Sequence, residues 1–256
     1  MNGAFYVGAT GLQAQQRALD VIANNISNIN TNGFKRSEIR FAELLSQDTN
    51  PILSDTPQSN PPEMLSGVQA RAAVRVFEQG DLRETNQPLD LAVSGDGFIE
   101  TLGPNGEIWL WRGGALKINA DRLLETDSGL LLKAMIEVPE DSVGLLIGRD
   151  GIISSIMAGS GERVELGALD LAMPSDPNSI EAVGDGFYRI SENENLRTLI
   201  AGEDGGVIVQ GSIETSNVEL TTEMVTLLLL QRAYGANAQV VQAGDQLMSI
   251  ANNLRR

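Results

Sequence analysis

The chain has no cysteine and no histidine among its 256 residues. Without thiols it can build neither a disulfide framework nor a thiolate metal site. Without imidazole it lacks the commonest general base near neutral pH and the commonest metal ligand, which excludes Ser-His-Asp and Cys-His catalysis and most zinc chemistry. Basic residues are few, 18 against 34 acidic, for a net charge of -16, and aromatic residues make up only 4%. No run approaches the roughly 20 apolar residues of a membrane span. The opening MNGAFYVGATGLQAQQ lacks the basic region and unbroken apolar core of a secretion signal, so a soluble chain without an ordinary signal peptide is expected.

What is present is a 42% hydrophobic content, enough for one large or two modest domains. The charge is unevenly placed. Residues 1–47 carry four Lys/Arg against three Asp/Glu, residues 211–256 carry three against four, and the whole excess lies in 48–210, with 11 basic and 27 acidic residues. An acidic middle argues against nucleic acid as a partner, while near-neutral ends can pack together densely.

From Asn2 to Ile29 the apolar residues keep a seven-residue beat: Phe5, Leu12, Leu19 and Ile26 at one position, Ile22 and Ile29 at a second, where Gly8 and Gln15 interrupt. Such spacing predicts a helix with a narrow apolar seam. It should stop within the asparagine-rich ANNISNINTNGF, between Asn28 and Asn32, with Gly33 supplying left-handed backbone. At the other end Leu220, Leu227, Tyr234, Val241 and Met248 recur every seven, beside a row of Ala233, Val240, Leu247 and Leu254, with Ser216 or Asn217 as candidate caps. Small residues at Ala233, Gly235, Ala236, Ala238, Ala243 and Gly244 would let neighbouring helices approach closely. Two striped terminal helices most simply pair with each other, and the seam left over must be buried by other copies.

Between 47 and 66 four prolines (Pro51, Pro57, Pro61, Pro62) indicate linker. From Val68 to Gln210 alternating segments such as LDLAVSGDGFIE, EIWLWRGG and VGLLIGRDGIISSI, separated by PNG, GRDG and EDGG, read as a compact antiparallel β domain. The echo of SGDGFIE (94–100) in VGDGFYRI (183–190) places the same turn before two strands.

Chemistry-bearing clusters have plainer readings beside them. Asp96 with Asp90, or Asp185 with Glu181, miss the spacing of a calcium loop, and Gly on both sides of Asp96 and of Asp185 is tight-turn chemistry. AGSGER (158–163) lacks the lysine of a phosphate loop and reads as a β-turn. Trp109 and Trp111 share a strand face, as a ligand platform or, more commonly, as core cover. The LLLL run at 227–230 reads as a buried turn of a bundle, since no basic face accompanies it.

ANNISNINTNGFKR (23–36) and ETSNVELTTEMVTLLLLQRAYGANAQVVQAGDQL (214–247) resemble the N- and C-terminal motifs of the bacterial flagellar rod and hook proteins, and GDLRETNQPLDLAVSGDGFIE (80–100) with IEVPEDSVGLLIGRDGIIS (136–154) is most similar to the distal-rod type of basal-body rod protein. The resemblance spans nearly the whole chain. It implies an α+β fold: an N-terminal helix over 1–32, an extended arm over 33–79, a central, mainly antiparallel β domain over 80–210 and a C-terminal helix over 211–256, the two helices pairing as a coiled-coil-like hairpin. It further implies an assembly interface that includes Asn24, Asn25, Asn28, Asn32, Gly33 and Phe34 at one end and Ser216, Asn217, Gln231, Arg232 and Tyr234 at the other, together with the seam residues above. Expected partners are further copies of the chain, other rod subunits, the hook protein, the P- and L-ring proteins and the flagellar export apparatus, in the periplasmic rod. No cofactor, metal or catalytic residue is expected. Departures from the family pattern are the divergent 48–66 stretch, Gly235 after Tyr234, and WLWRGGALKIN at 109–119. The competing readings are a proximal rod or hook subunit, and a carbohydrate-active β protein using carboxylates of the acidic middle, which would need no histidine but would leave the terminal heptads without a purpose.

Overall fold

The computed structural model describes residues 2–45, 65–70, 73–159, 161–176, 179–190 and 195–253. It is an α+β protein with a helix near each end, α1 (Asn2–Ser27) and α2 (Leu220–Asn253), and antiparallel strands between them. The chain divides into two compact units: Met1–Ile26, Ser37–Val74 and Glu219–Arg256 form one, Ser27–Arg36 and Arg75–Val218 the other. Most of the proline-rich 48–66 stretch lies outside the described residues.

In the helical unit, α1 and α2 run antiparallel. Gly8 faces Val241, Gly11 faces Asn237, and Asn25 bonds Glu223. A short hairpin, Phe41–Leu45 with Leu65–Ala70, lies against α1. A Cβ at Gly67 would collide with Thr10, and Arg17 donates to the Ala70 carbonyl at 3.4 Å. The helix stops at Ser27, inside the asparagine-rich stretch and one residue before Asn28, where the expected range begins.

The β unit is dominated by one sheet, whose strands lie in the order Ile180–Gly184, Phe187–Ile190, Ile108–Trp111, Phe98–Leu102, Leu131–Leu132, Leu124–Thr126, Gly113–Ile118, Asp90–Ser94, Val207–Gln210. Leu171–Pro174 pairs with both Phe98–Leu102 and Leu196–Leu199. A separate three-stranded sheet joins Ser142–Ile147, Ile152–Met157 and Arg163–Ala168. The short strands Leu82–Glu84 and Ser212–Glu214 make a two-stranded ribbon.

Alternation across the sheet feeds two cores, because successive residues of a strand point to opposite faces. Ile99, Trp111 and Phe187 enter the larger cluster, around Leu91, Leu124, Leu132, Ile153 and Ile208; their neighbours Phe98, Leu110 and Tyr188 enter a smaller one. With both faces covered, Phe98–Leu102 is buried almost throughout, polar Glu100 and Thr101 included. Phe77, Phe98 and Tyr188 meet edge to face, with ring centroids 5.8–5.9 Å apart. The two Gly-Asp-Gly-Phe segments are tight turns as expected: Gly95 and Gly97, then Gly184, Asp185 and Gly186, all have positive φ, and each turn delivers a buried Phe into a strand.

Candidate assembly site

Residue spacing sets which face of α1 meets α2. The buried positions are Gly8, Ala14, Ala18, Ile22 and Asn25, which with the half-buried Gly11 follow one another at three to four residues on one face. The contact therefore runs through the heptad row that Gly8 and Gln15 appear to spoil. Small residues allow this approach: a Cβ on Gly8 would sit 2.7 Å from the stiff Val241 side chain, too close without a shift, and one on Gly11 would sit 3.0 Å from the Asn237 amide, a tight contact. Leu12, Leu19 and Ile26, the regular apolar row, stay half-buried beside this contact. The Phe5 side chain and Leu254 lie outside the described residues.

Asn25, 1% exposed, closes the end of the pair. Its amide donates to the Ser37 carbonyl at 2.9 Å and to Glu223 Oε1 at 3.2 Å, and its Oδ1 accepts the Ser37 N–H at 2.9 Å. One side chain thus satisfies both backbone groups of the half-buried Ser37 and bonds the carboxylate of Glu223.

On α2 the face toward α1 is Glu223, Leu227, Leu230, Ala233, Asn237 and Val241, all buried or half-buried. The rest of a 34-residue helix carries only two charges, Arg232 and Asp245. Leu228 and Leu229 are 57% and 60% exposed, Val240 55%, Leu247 62% and Ile250 56%, with Leu220, Met224, Val225, Tyr234 and Met248 also exposed. In the single chain the LLLL run has Leu227 and Leu230 half-buried toward α1, and Leu228 and Leu229 outward. The small residues that sequence spacing assigned to close approach behave likewise: among the described residues nothing lies within 4 Å of where a Cβ would stand on Gly235 or Gly244.

Asn28, Ile29, Gly33, Phe34, Ser216 and Asn217 all belong to the β unit. Asn28 accepts the Thr31 N–H and hydroxyl at 3.1 Å each, turning the chain, while Ile29 is half-buried. Gly33 has φ +67°, donates its N–H to the Glu214 carbonyl at 2.9 Å and receives the Tyr188 hydroxyl at 2.9 Å. Phe34 is buried, and its carbonyl accepts the Asn217 N–H. Asn217 does not cap α2: its Oδ1 accepts the Arg36 N–H at 2.7 Å and its amide donates to the Val76 and Glu78 carbonyls. Ser216 Oγ accepts the Val218 N–H at 3.3 Å, and the first helical turn closes on Glu219 instead. The capping expectation fails because the amide of Asn217 finds three backbone partners in the β unit, more than a helix end offers.

Three residues at the centre of this clasp escaped the sequence reading. Lys35, Arg112 and Glu214 are 0%, 4% and 1% exposed. Glu214 Oε1 accepts Lys35 Nζ at 2.5 Å and the Gly80 N–H at 2.9 Å, and Oε2 accepts Arg112 Nε at 2.9 Å. Lys35 also donates to the Glu78 carbonyl, and Arg112 to those of Val93, Gly95 and Gly97. Burial holds the Lys35 ammonium below its ordinary value of 10.5, against the opposing pull of Glu214. The available signal was a charge inside the apolar strand text WLWRGG, and a Lys and a Glu within the two terminal motifs.

Elsewhere Asp96 and Asp185 occupy turns, and Glu181 pairs with Arg189 on the surface. Trp111 stacks on Phe187 at 6.0 Å and 11°, and Trp109 packs on the same ring at 6.2 Å, so the pair is core cover. The described residues of AGSGER lie where the last two strands of the three-stranded sheet meet, with the Met157 carbonyl accepting the Gly161 N–H and the Met157 N–H donating to the Glu162 carbonyl. Among the described residues no helix is long and apolar enough to cross a membrane.

Three stretches match known families: 5–35 that described as flagella basal body rod protein, 92–155 the flagellar hook protein FlgE/F/G D1 domain, and 209–254 the flagellar basal body rod FlgEFG protein C-terminal family. The chain is 34% identical to the flagellar basal-body rod protein FlgG of Borreliella burgdorferi, over the full length of both. It is 32% identical to FlgG of Caulobacter vibrioides, covering 98% of this chain and 99% of that one. To the flagellar basal-body rod protein FlgF of the same species it is 29% identical, covering 96% and 95%.

Proposed function

The chain belongs to the flagellar basal-body rod protein family, FlgG type, and from that membership we infer that it is a structural subunit of the distal rod whose terminal helices bundle with those of neighbouring copies. The observation that carries the mechanism is the outward face of α2. A 34-residue helix with two outward charges and six large apolar side chains more than half exposed, Val225, Leu228, Leu229, Val240, Leu247 and Ile250, has the composition of a covered surface. α1 offers a matching set in Leu12, Leu19 and Ile26, half-buried in the single chain. In this reading Gly8, Gly11, Ala14 and Ala18 serve the coiled-coil-like pairing inside one subunit. Leu220, Leu229, Tyr234, Leu247 and Met248, with the open sites at Gly235 and Gly244, serve contacts between subunits. Contacts of this head-to-tail kind do not close on themselves and so generate a helical tube.

Within 33–79, residues 37–74, outside the β unit, then act as an arm toward neighbours, and the β domain over 80–210 as the outer body. The work is mechanical, transmitting torque from motor to hook, with no catalytic step. The partners are other copies, the remaining rod subunits, the hook protein, the P- and L-ring proteins and, before assembly, the export apparatus; the location is the periplasmic rod.

The test is sedimentation of the full chain as its concentration is raised, beside Leu229→Arg and Leu247→Arg. These positions touch little within one chain, so the variants should keep wild-type circular dichroism at low concentration and fail to form filaments where the wild type does. Unimpaired filament growth by both variants would remove this face of α2 from the interface.

A further inference from the structure

Glu214 is the meeting point of three segments distant from it in sequence, around residues 33–35, 80 and 112. Its main-chain carbonyl receives Gly33, its Oε1 receives Lys35 and Gly80, and its Oε2 receives Arg112, whose guanidinium, among the described residues, is otherwise held by the carbonyls of Val93, Gly95 and Gly97 and by the Phe98 ring, 5.5 Å from its centroid. Carbonyl oxygens orient a cation but do not cancel its charge. Among the described residues Glu214 is the one carboxylate paired with either cation, and it lies 179 and 102 positions along the chain from them. The cluster is nearly free of solvent and carries two positive charges against one negative.

We propose that the Lys35–Glu214–Arg112 cluster is a completion lock on the β unit: its strands consolidate only when the segment carrying Glu214 has docked. Until then the sheet must either leave Arg112 and Lys35 in water, which keeps the Asp90–Ser94 and Phe98–Leu102 turn open, or bury two uncompensated cations. Docking of Ser212–Glu214 against Leu82–Glu84 supplies the missing charge and the ribbon in one event. The lock therefore makes the unit depend on a residue that follows nearly all of its other strands in the chain. It acts within a single chain and stands whether or not copies polymerise.

Charge arithmetic separates this from an ordinary stabilising contact. Removing Lys35 leaves the neutral pair Arg112–Glu214; removing the Glu214 charge leaves two cations facing each other. Lys35→Met should therefore be mild in the wild-type background and should rescue in the Glu214→Gln background, a change of sign that neither shape nor a lost hydrogen bond produces. The experiment is hydrogen exchange by mass spectrometry on the full chain at concentrations where it is monomeric, comparing wild type, K35M, E214Q and K35M/E214Q. Exchange of Asp90–Ser94, Phe98–Leu102 and Gly113–Ile118 should accelerate by about 100-fold or more in E214Q and by less than about 10-fold in K35M, with the double variant slower than E214Q. Should E214Q fail to fold, the double variant should recover protection. Acceleration in E214Q confined to residues near 214, or a double variant no better than E214Q, would overturn the lock.

Discussion

Tyr188 is 1% exposed and gives its hydroxyl hydrogen to the Gly33 carbonyl. Burial pushes its phenol from 10.0 up to about 12. The folded chain therefore keeps this proton after the unfolded chain has lost it, so the stabilisation is complete below pH 10 and is lost as pH rises toward 12. Two units correspond to about 2–3 kcal/mol. Lys35 has the opposite sign: its lowered value lets the folded state shed a proton first, relieving the cost of a buried charge as pH approaches 10.5. Tyr188→Phe isolates the phenol because it leaves Lys35 in place. The variant should be about 1 kcal/mol less stable than wild type at pH 9, from the lost hydrogen bond. The gap should close or reverse by pH 11.5, as read from urea midpoints. A gap constant over that range would mean that Tyr188 titrates as an exposed phenol.

At the scale of the helices, the two partners use their small residues differently. On α1, Gly8 and Gly11 lie against α2, while on α2, Gly235 and Gly244 face open space in the single chain. An interior glycine in a helix costs about 0.8–1.0 kcal/mol relative to alanine. Gly235→Ala should therefore strengthen α2 in the monomer by roughly that amount, seen as more helical signal and slower proteolysis. If a neighbouring helix closes on this site, the same methyl group should raise the concentration needed for assembly. The two readouts move in opposite directions only when glycine has been kept for an intermolecular contact.

On the scale of the whole chain, charge is segregated: the ends nearly cancel while 48–210 carries the entire excess of -16. Packing copies side by side brings like-charged bodies together, and exposed charges repel over about 30 Å at 0.01 M salt but about 10 Å at 0.1 M. Assembly should thus be favoured by raising salt from about 0.01 M to about 0.1 M, measured as pelletable mass at fixed protein concentration. Assembly that weakens with salt would mean that attraction between charges, rather than seam burial, holds the copies together.

The sequence by itself determined what depends on local periodicity and on composition. Seven-residue spacing marked both terminal helices, alternation and Gly-Asp-Gly turns marked the central strands, and the family was legible from the motifs at 23–36 and 214–247. Local pattern reports the helix period and the strand pleat, and these survive in any context. The tertiary structure alone decided which stripe of α1 meets α2. The regular row of Leu12, Leu19 and Ile26 looked the better seam, yet helices approach most closely where side chains are smallest, so Gly8, Ala14 and Ala18 took the contact. It also decided that Asn217 binds backbone in the β unit instead of capping a helix, and that Lys35, Arg112 and Glu214 share one buried site. Partners 179 and 102 positions apart leave no periodic trace, because what joins them is the need of a buried charge for its opposite, and that need exists only once the chain has folded.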